Sequence, residues 1–335
     1  MITVVGAGSW GTTFAVRMAR RFEAGLTGQP VTLYEFFPRV AQDIQKRREN
    51  RLFLPGVRLP RSLVISNDLD ACVRSADLVF NAVPTQFIRN VFQSSPLWRG
   101  KALVNLSKGI EIKTGQTISG VFFEMFPSLS RSQYAVLSGP SHAEEVILNI
   151  PTAAVVAGPA ALAARVQKLV SDSRFRLYTN NDVIGVELAA ALKNCVAIAA
   201  GICVGLGFGD NTLAAMMTRG LAEISRLGVA LSARRDTFAG LAGLGDLVVT
   251  CGSRHSRNRR FGELLAQGHS PADIARKHRF VAEGVATARA AVGLARKAHV
   301  EIPIIREVHN IIYNRKSVRR AVESLLARPF VPERA

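Results

Sequence analysis

The strongest constraint in this chain is a short strand that stops on a glycine and passes directly into a helix. Ile2–Gly6 is a β-branched run, and it leads straight into Gly6-Ala7-Gly8-Ser9-Trp10-Gly11, with a helical pattern continuing to about Glu23. Each glycine at this spacing has a physical reason. Gly6 permits a tight turn, Gly8 lets a pyrophosphate approach the backbone, and Gly11 lets the helix pack closely on the strand. The helix N-terminus then offers N–H groups and a partial positive charge to phosphates. Without the flanking strand and helix the motif would be only a Gly-rich turn; with them it points to a dinucleotide site in which Ser9 and Trp10 lie in the loop.

The rest of the first half repeats the pattern. Strand-like runs follow at Val31–Glu35, Leu63–Ser66, Asp77–Val83, Ala102–Ser107, Tyr134–Gly139, Thr152–Gly158 and Phe175–Asn180, with helical stretches between them. Alternation of this kind predicts an α/β unit with a Rossmann-like, doubly wound, mainly parallel sheet. Nearly continuous apolar strands agree with burial on both faces. After Asn180 the texture changes. Asp182 is placed to cap a long helix, and helical blocks follow at 182–206, 210–228, 234–240, 257–267, 271–278, 283–298 and 303–313. The expected division is a dinucleotide-binding unit over 1–184 and an all-α substrate unit over 185–335.

Apolar residues form 48% of the 335, enough to build real cores and to exclude a disordered chain. The formal charge of +18 calls for anionic partners such as phosphorylated metabolites, nucleic acid or an acidic membrane surface. Cys72, Cys195, Cys203 and Cys251 form no C-x-x-C pair, which suits reduced thiols in a cytoplasmic protein. The six histidines lack zinc-site spacing, so no metal is expected. The opening residues carry no basic n-region, and the longest uninterrupted apolar run, Cys195 to Phe208, is short of the roughly 18 residues that suggest a membrane span.

Lys193 raises a sharper question. It sits inside the apolar run Glu187–Gly209, with Ala189, Ala190, Val196 and Ala197 as its helical neighbours, so no acid on the same helix reaches it. Glu187, six residues back, faces elsewhere. Lys193 must therefore reach solvent or meet a partner from another segment, because an unpaired buried charge costs several kcal/mol. Asp246, among the glycines of Gly240–Leu247, is one candidate partner; a turn aspartate bonding its own backbone is the alternative. Glu35 closes the second strand where an acid can accept a ribose 2′-OH, a position that disfavours a 2′-phosphate; a solvated strand-end charge is the plainer reading. Phe36 or Phe37 can cover an adenine or belong to the core. Lys108 follows another strand at the ligand-binding edge of the sheet. Arg254, Ser256, Arg257, Asn258, Arg259 and Arg260 open a further helix, with Ser256 as a candidate N-cap, and arginines at a helix N-terminus suit phosphate. The run lacks the interleaved aromatics that stack on nucleic-acid bases, so no nucleic acid is expected as a partner.

Taken together, "GAGSWGT", "FLPGVRLP", "AVPTQFIR", "LSKGIE", "LSGPSHAEEV", "IGVELAAALKN", "AGLGDLVVTC", "SRNRRFG" and "VAEGVAT" resemble the bacterial-type NAD(P)-dependent glycerol-3-phosphate dehydrogenases, in family order from Met1 to about Ala321. The resemblance implies a catalytic acid/base at Lys193, with Lys108 and Asp246 lining the substrate pocket. It implies substrate contacts at Gly139, Ser141, Asn194, Thr250, Ser256, Arg257 and Asn258. It places Ala143, Val281, Glu283, Lys108 and Arg257 by the cofactor and implies a homodimer. Phe36 stands where many bacterial members carry a basic residue, which favours NAD over NADP, while Arg39 is close enough to leave NADP use open. The implied reaction is reversible reduction of dihydroxyacetone phosphate to sn-glycerol 3-phosphate, for phospholipid precursor synthesis. Two rival readings are a dehydrogenase of the same architecture acting on another hydroxy or sugar acid, and a nucleic-acid-binding protein that keeps the dinucleotide fold.

Overall fold

In the computed structural model, which describes residues 1–93, 100–277, 282–330 and 332–333, eight strands hydrogen-bond into one sheet. They are β1 (Ile2–Val5), β2 (Val31–Tyr34), β3 (Val64–Ser66), β4 (Leu78–Asn81), β5 (Ala102–Asn105), β6 (Tyr134–Ser138), β7 (Thr152–Ala157) and β8 (Phe175–Asn180). Their spatial order is β8-β7-β6-β5-β4-β1-β2-β3. β1 to β6 are parallel, β7 runs antiparallel to β6, and β8 is parallel to β7. The expected mainly parallel, Rossmann-like sheet is therefore present, with two reversed strands at one edge.

The chain winds outward from β1 to β3, then returns to lay β4 on the other side of β1. That reversal opens a crevice beyond the carboxyl ends of β1 and β4, the usual ligand position in such sheets. Residues alternate cleanly between the two faces, as a period of two requires. Val5, Val79, Leu103 and Val136 lie on one side. Val4, Leu78, Phe80, Val104 and Leu137 lie on the other. The first of these cores continues into the helical half, taking in Val186, Leu192, Val196 and Ile198. The two halves thus share apolar packing.

The helices that build the site are α1 (Ser9–Glu23), α2 (Val183–Gly205), α3 (Asp210–Ala230), α4 (Asp246–Gly252), α5 (Arg257–Ala266), α6 (Glu283–Lys297) and α7 (Pro303–Tyr313). Asp182 caps α2 as expected: one oxygen accepts from Gly185 N–H at 2.9 Å and the other from Thr237 Oγ1 at 2.6 Å. Glu187 does face away from Lys193. It accepts from Ser119 N–H at 3.0 Å and from the Tyr134 hydroxyl, tying α2 to β6. Among the described residues α2 is the one helix long and apolar enough to cross a membrane, yet 89% of its apolar stretch is buried inside the protein. Its composition is that of a core helix.

Several elements differ from expectation. The block 234–240 is a 3₁₀ turn, Arg235–Ala239. The glycines after it do not form an open loop: Leu241–Gly245 is a π-helical turn that runs into α4. A Cβ on Gly243 would overlap the Phe238 carbonyl, so that glycine serves close packing. A hairpin, Glu49–Asn50 with Leu54–Arg58, and a last helix, Val318–Leu326, carry no marked signal in the sequence.

Candidate active site

The glycine loop closes the β1 end of the crevice. Gly6 has φ +108°, and a Cβ there would stand 2.9 Å from the Ala82 backbone that follows β4. A Cβ on Gly11 would overlap the Gly6 carbonyl, whereas one on Gly8 would meet nothing within 4 Å. The three glycines therefore act as turn, open approach and close packing. Gly8 caps α1 with no side-chain bond, leaving the helix end, with Ser9 and Trp10 in its first turn, directed at that open space. The Trp10 ring packs 6.1 Å from Phe14 and 6.5 Å from Phe175, so only its backbone belongs to the loop.

Asn50 holds the loop from behind. It is fully buried and donates to the Ala7 carbonyl and to Thr12 Oγ1, each at 2.8 Å. Glu35 is buried rather than solvated, its Oε1 accepting from Phe37 N–H at 3.0 Å. Burial raises its pKa, against the N–H bonds of Phe37, Phe36 and Ala7. Phe36 and Phe37 are exposed and meet edge to face at 5.2 Å, so neither is core.

Two asparagines end β4 and β5 and lock the loops that follow. Asn81 Nδ2 donates to Asn105 Oδ1 at 2.8 Å, and that oxygen also accepts from Ser107 N–H at 3.0 Å. Lys108 comes next. Its Nζ donates to the Gly139 carbonyl at 3.2 Å and to Asp246 Oδ2 at 2.6 Å. Asp246 Oδ1 lies 3.0 Å from Lys193 Nζ, which also donates to Thr250 Oγ1 at 2.5 Å. Asp246 is thus the partner Lys193 needs, and both are buried, at 2% and 4% exposure. Burial pulls the Lys193 pKa down to about 8; Asp246 opposes this and Lys108 adds to it. Burial pushes Asp246 the other way, but the two ammonium groups hold its pKa below the usual carboxylate value.

The other side of the cluster is set by the crossing of α2 and α5. A Cβ on Gly201 would overlap the Arg259 carbonyl, and one on Gly262 would overlap the Ile198 carbonyl. Backbones in such contact bring the start of α5 beside Asn194. Ser256 is the N-cap, accepting from Arg259 N–H at 3.2 Å. Asn258 donates to Asn194 Oδ1 at 3.0 Å and accepts from Gly284 N–H at 2.9 Å, so this pair fixes the start of α6. Of the arginines, Arg259 and Arg260 pair with Glu263. Arg254 and Arg257 remain exposed at the head of the helix. Glu283 opens α6 and accepts from Thr85 N–H; burial raises its pKa to about 7, with Arg257 opposing.

Ser141 donates to the Gly139 carbonyl at 3.0 Å, and Ala143 is buried at the start of a four-residue helix, both on the Lys108 side. Val281 lies outside the described residues. The structure therefore gathers Lys108, Lys193, Asp246 and Thr250 into one bonded cluster, flanked by Gly139–Ser141 and Asn194–Asn258. Asn50, Asn81 and Asn105 are positioning residues that sequence reasoning missed; a polar side chain closing an apolar strand is the signal that marks the last two. All four cysteines are free and buried, and burial pushes the Cys251 thiol up to about 12. A cavity of about 660 Å³ beside Gln167, Asn180 and Arg234 shares none of these residues.

Chemically, two ammonium groups around one carboxylate leave a local positive charge for a developing oxyanion, and a lysine near pH 8 can gain or lose a proton.

Comparison with known proteins gives a consistent result. Residues 1–164 match the family model for the NAD-dependent glycerol-3-phosphate dehydrogenase N-terminus, and 182–323 match the model for its C-terminus. A glycerol-3-phosphate dehydrogenase [NAD(P)+] of a Geobacter species is 47% identical over 335 residues, covering 99% of this chain and 98% of its own. One from Chlorobium luteolum is 45% identical, with 99% of each chain covered. A crystal structure of glycerol-3-phosphate dehydrogenase from Coxiella burnetii superposes with a TM-score of 0.91 at 34% identity, over 98% of both chains.

Proposed function

The chain belongs to the NAD-dependent glycerol-3-phosphate dehydrogenase family, and from that premise we propose how its residues divide the work. It is an NAD(P)-dependent oxidoreductase acting on a CH–OH group, interconverting dihydroxyacetone phosphate and sn-glycerol 3-phosphate. Its first 184 residues hold the dinucleotide and 185–335 supply the substrate side.

The open space above Gly8, the α1 N-terminus and the buried Glu35 carboxylate fit a dinucleotide. A dinucleotide held by Gly6, Gly8, Gly11 and Glu35 would supply or accept a hydride. Everything else falls to the protein. Lys193 donates its proton to the oxygen at C2 during reduction and takes it back during oxidation. Lys108 stabilises negative charge on that oxygen, and Asp246, through both oxygens, aims the two ammonium groups. Arg257, at the α5 N-terminus, holds the phosphate, whose binding energy fixes the reacting carbon. Asn194, Ser256 and Asn258 shape that end, Thr250 orients Lys193, and Glu283 borders the dinucleotide. Glu35 favours NAD over NADP. The family resemblance implies a homodimer, and the reduced thiols suit the cytoplasm.

The single observation that supports this most is the Lys193–Asp246 contact of 3.0 Å inside a buried cluster. The test is turnover of dihydroxyacetone phosphate with NADH and with NADPH, side by side, in the parent and in Lys193→Ala. Loss of a general acid should lower turnover by roughly 10²–10⁴ while NADH still binds. Near-normal turnover in Lys193→Ala would defeat the assignment.

A further inference from the structure

His142 lies on the segment that joins the two ends of the site. It follows Gly139, whose carbonyl accepts from both Lys108 and Ser141. Its backbone is extended, with φ −64° and ψ 131°, and it precedes the Ala143–Val146 helix without bonding to it through its side chain. The imidazole is therefore not used in capping. Its ring centroid stands 6.1 Å from that of His255, directly before Ser256 and Arg257. Burial lowers its pKa, and the charges acting on it most are Lys193, then Lys108, with Glu144 and Asp246 opposing. One ring thus lies beside the arginine-bearing turn and within electrostatic reach of both lysines. Its Nε2 is buried and has no hydrogen-bond partner. Buried polar atoms are nearly always paired, so an unpartnered Nε2 beside the arginine-bearing turn and the two lysines calls for a partner.

We propose that His142 contacts the substrate, donating its Nε2–H to an oxygen of the phosphorylated three-carbon molecule as that molecule spans from the two lysines to Arg257. This rests on the functional reading above. A neutral imidazole supplies a directed donor without adding a third positive charge beside two ammonium groups.

The test uses the full chain with His142→Phe and His142→Gln. Phe keeps a ring of similar size and loses the donor; Gln keeps an N–H near the Nε2 position. Steady-state kinetics with dihydroxyacetone phosphate should show kcat/KM falling about 10–100-fold in His142→Phe, as expected for a lost bond to a charged ligand. His142→Gln should lose clearly less, and the Kd for NADH, measured by fluorescence, should stay within about twofold of the parent in both. A His142→Phe enzyme within twofold of the parent overturns the proposal. So do equal losses in the two variants, or a loss of NADH affinity in step with kcat/KM. If His142→Phe does not fold, His142→Ala replaces it with the same expectation. A parent enzyme inert toward dihydroxyacetone phosphate overturns the functional reading itself, and that result is distinguishable because the parent alone gives it.

Discussion

Lys193 and Asp246 form a buried ion pair 3.0 Å apart in which the carboxylate is shared, because Asp246 Oδ2 also takes Lys108 at 2.6 Å. Burial draws the Lys193 pKa down to about 8; the shared carboxylate works against that shift, and the neighbouring Lys108 ammonium works with it. With Lys193 as the proposed acid/base, the two directions of reaction depend oppositely on its proton. Alcohol oxidation needs the neutral amine, so its rate should rise through about pH 8. Carbonyl reduction needs the ammonium and should fall above the same pH.

Asp246→Asn removes the attraction and leaves the repulsion from Lys108. The Lys193 pKa should drop further, and both limbs should move to lower pH. Turnover should fall at least tenfold, since the variant also loosens the aim of both lysines. Profiles of kcat against pH in both directions measure this, and limbs that stay in place would count against the shared carboxylate.

Much of this site was legible in the chain itself, for a physical reason. Lys193 stood out because no acid lay within one helical turn of it, and Asp246 stood out because its glycine neighbours allow close approach. The contact between them was not legible, since it depends on the Leu241–Gly245 π turn that starts α4 at Asp246. The sheet followed from strand alternation, while the reversal of β7 against β6 is a tertiary choice. Asn50 was silent because its loop-holding role comes from a two-residue strand far along the chain. In the arginine run, pairing of Arg259 and Arg260 with Glu263 is what separates helix-surface charges from Arg257.

The Gly201–Gly262 crossing sets the distance between α2 and α5. Gly201→Ala would drive a methyl group into the Arg259 carbonyl. Overpacking of this kind costs about 1–3 kcal/mol, and backbone cannot step aside as a flexible side chain would. Denaturant unfolding should show a loss at or above the top of that range. Because Arg257 and Asn258 ride on α5, the KM for dihydroxyacetone phosphate should rise more than the KM for NADH. A change confined to stability, with both KM values unmoved, would mean the crossing does not set the phosphate end.

Glu223 on α3 is a buried carboxylate at the head of α7, accepting from Ile304 N–H at 2.7 Å and Ile305 N–H at 3.2 Å. Burial nonetheless raises its pKa to about 7, against those bonds. A folded value above the unfolded value of 4.5 means that the folded state holds this proton more tightly. Its contribution is full below about pH 4.5 and is lost as pH rises through about 7, a change on the order of 3 kcal/mol. Glu223→Gln removes the titration. The stability difference, parent minus variant, should therefore fall between pH 5 and 7.5 and then level off. Urea unfolding across roughly that window checks it, and a flat difference would show that Glu223 is charged throughout.

Glu35 offers the clearest test of cofactor choice. Its carboxylate is buried beside Ala7 and Phe37, and the exposed Phe36 supplies no cation next to it. A 2′-phosphate placed there would meet negative charge. At about 6 Å and an effective dielectric of about 40, one such pair costs about 1.4 kcal/mol, or tenfold. Glu35→Gln keeps an acceptor for the Phe37 N–H and removes the charge, so the fold should hold. The ratio of kcat/KM for NADPH to that for NADH should rise about tenfold at low ionic strength and less in high salt, where the repulsion is screened. An unchanged ratio would move the origin of cofactor preference away from this carboxylate and toward Arg39.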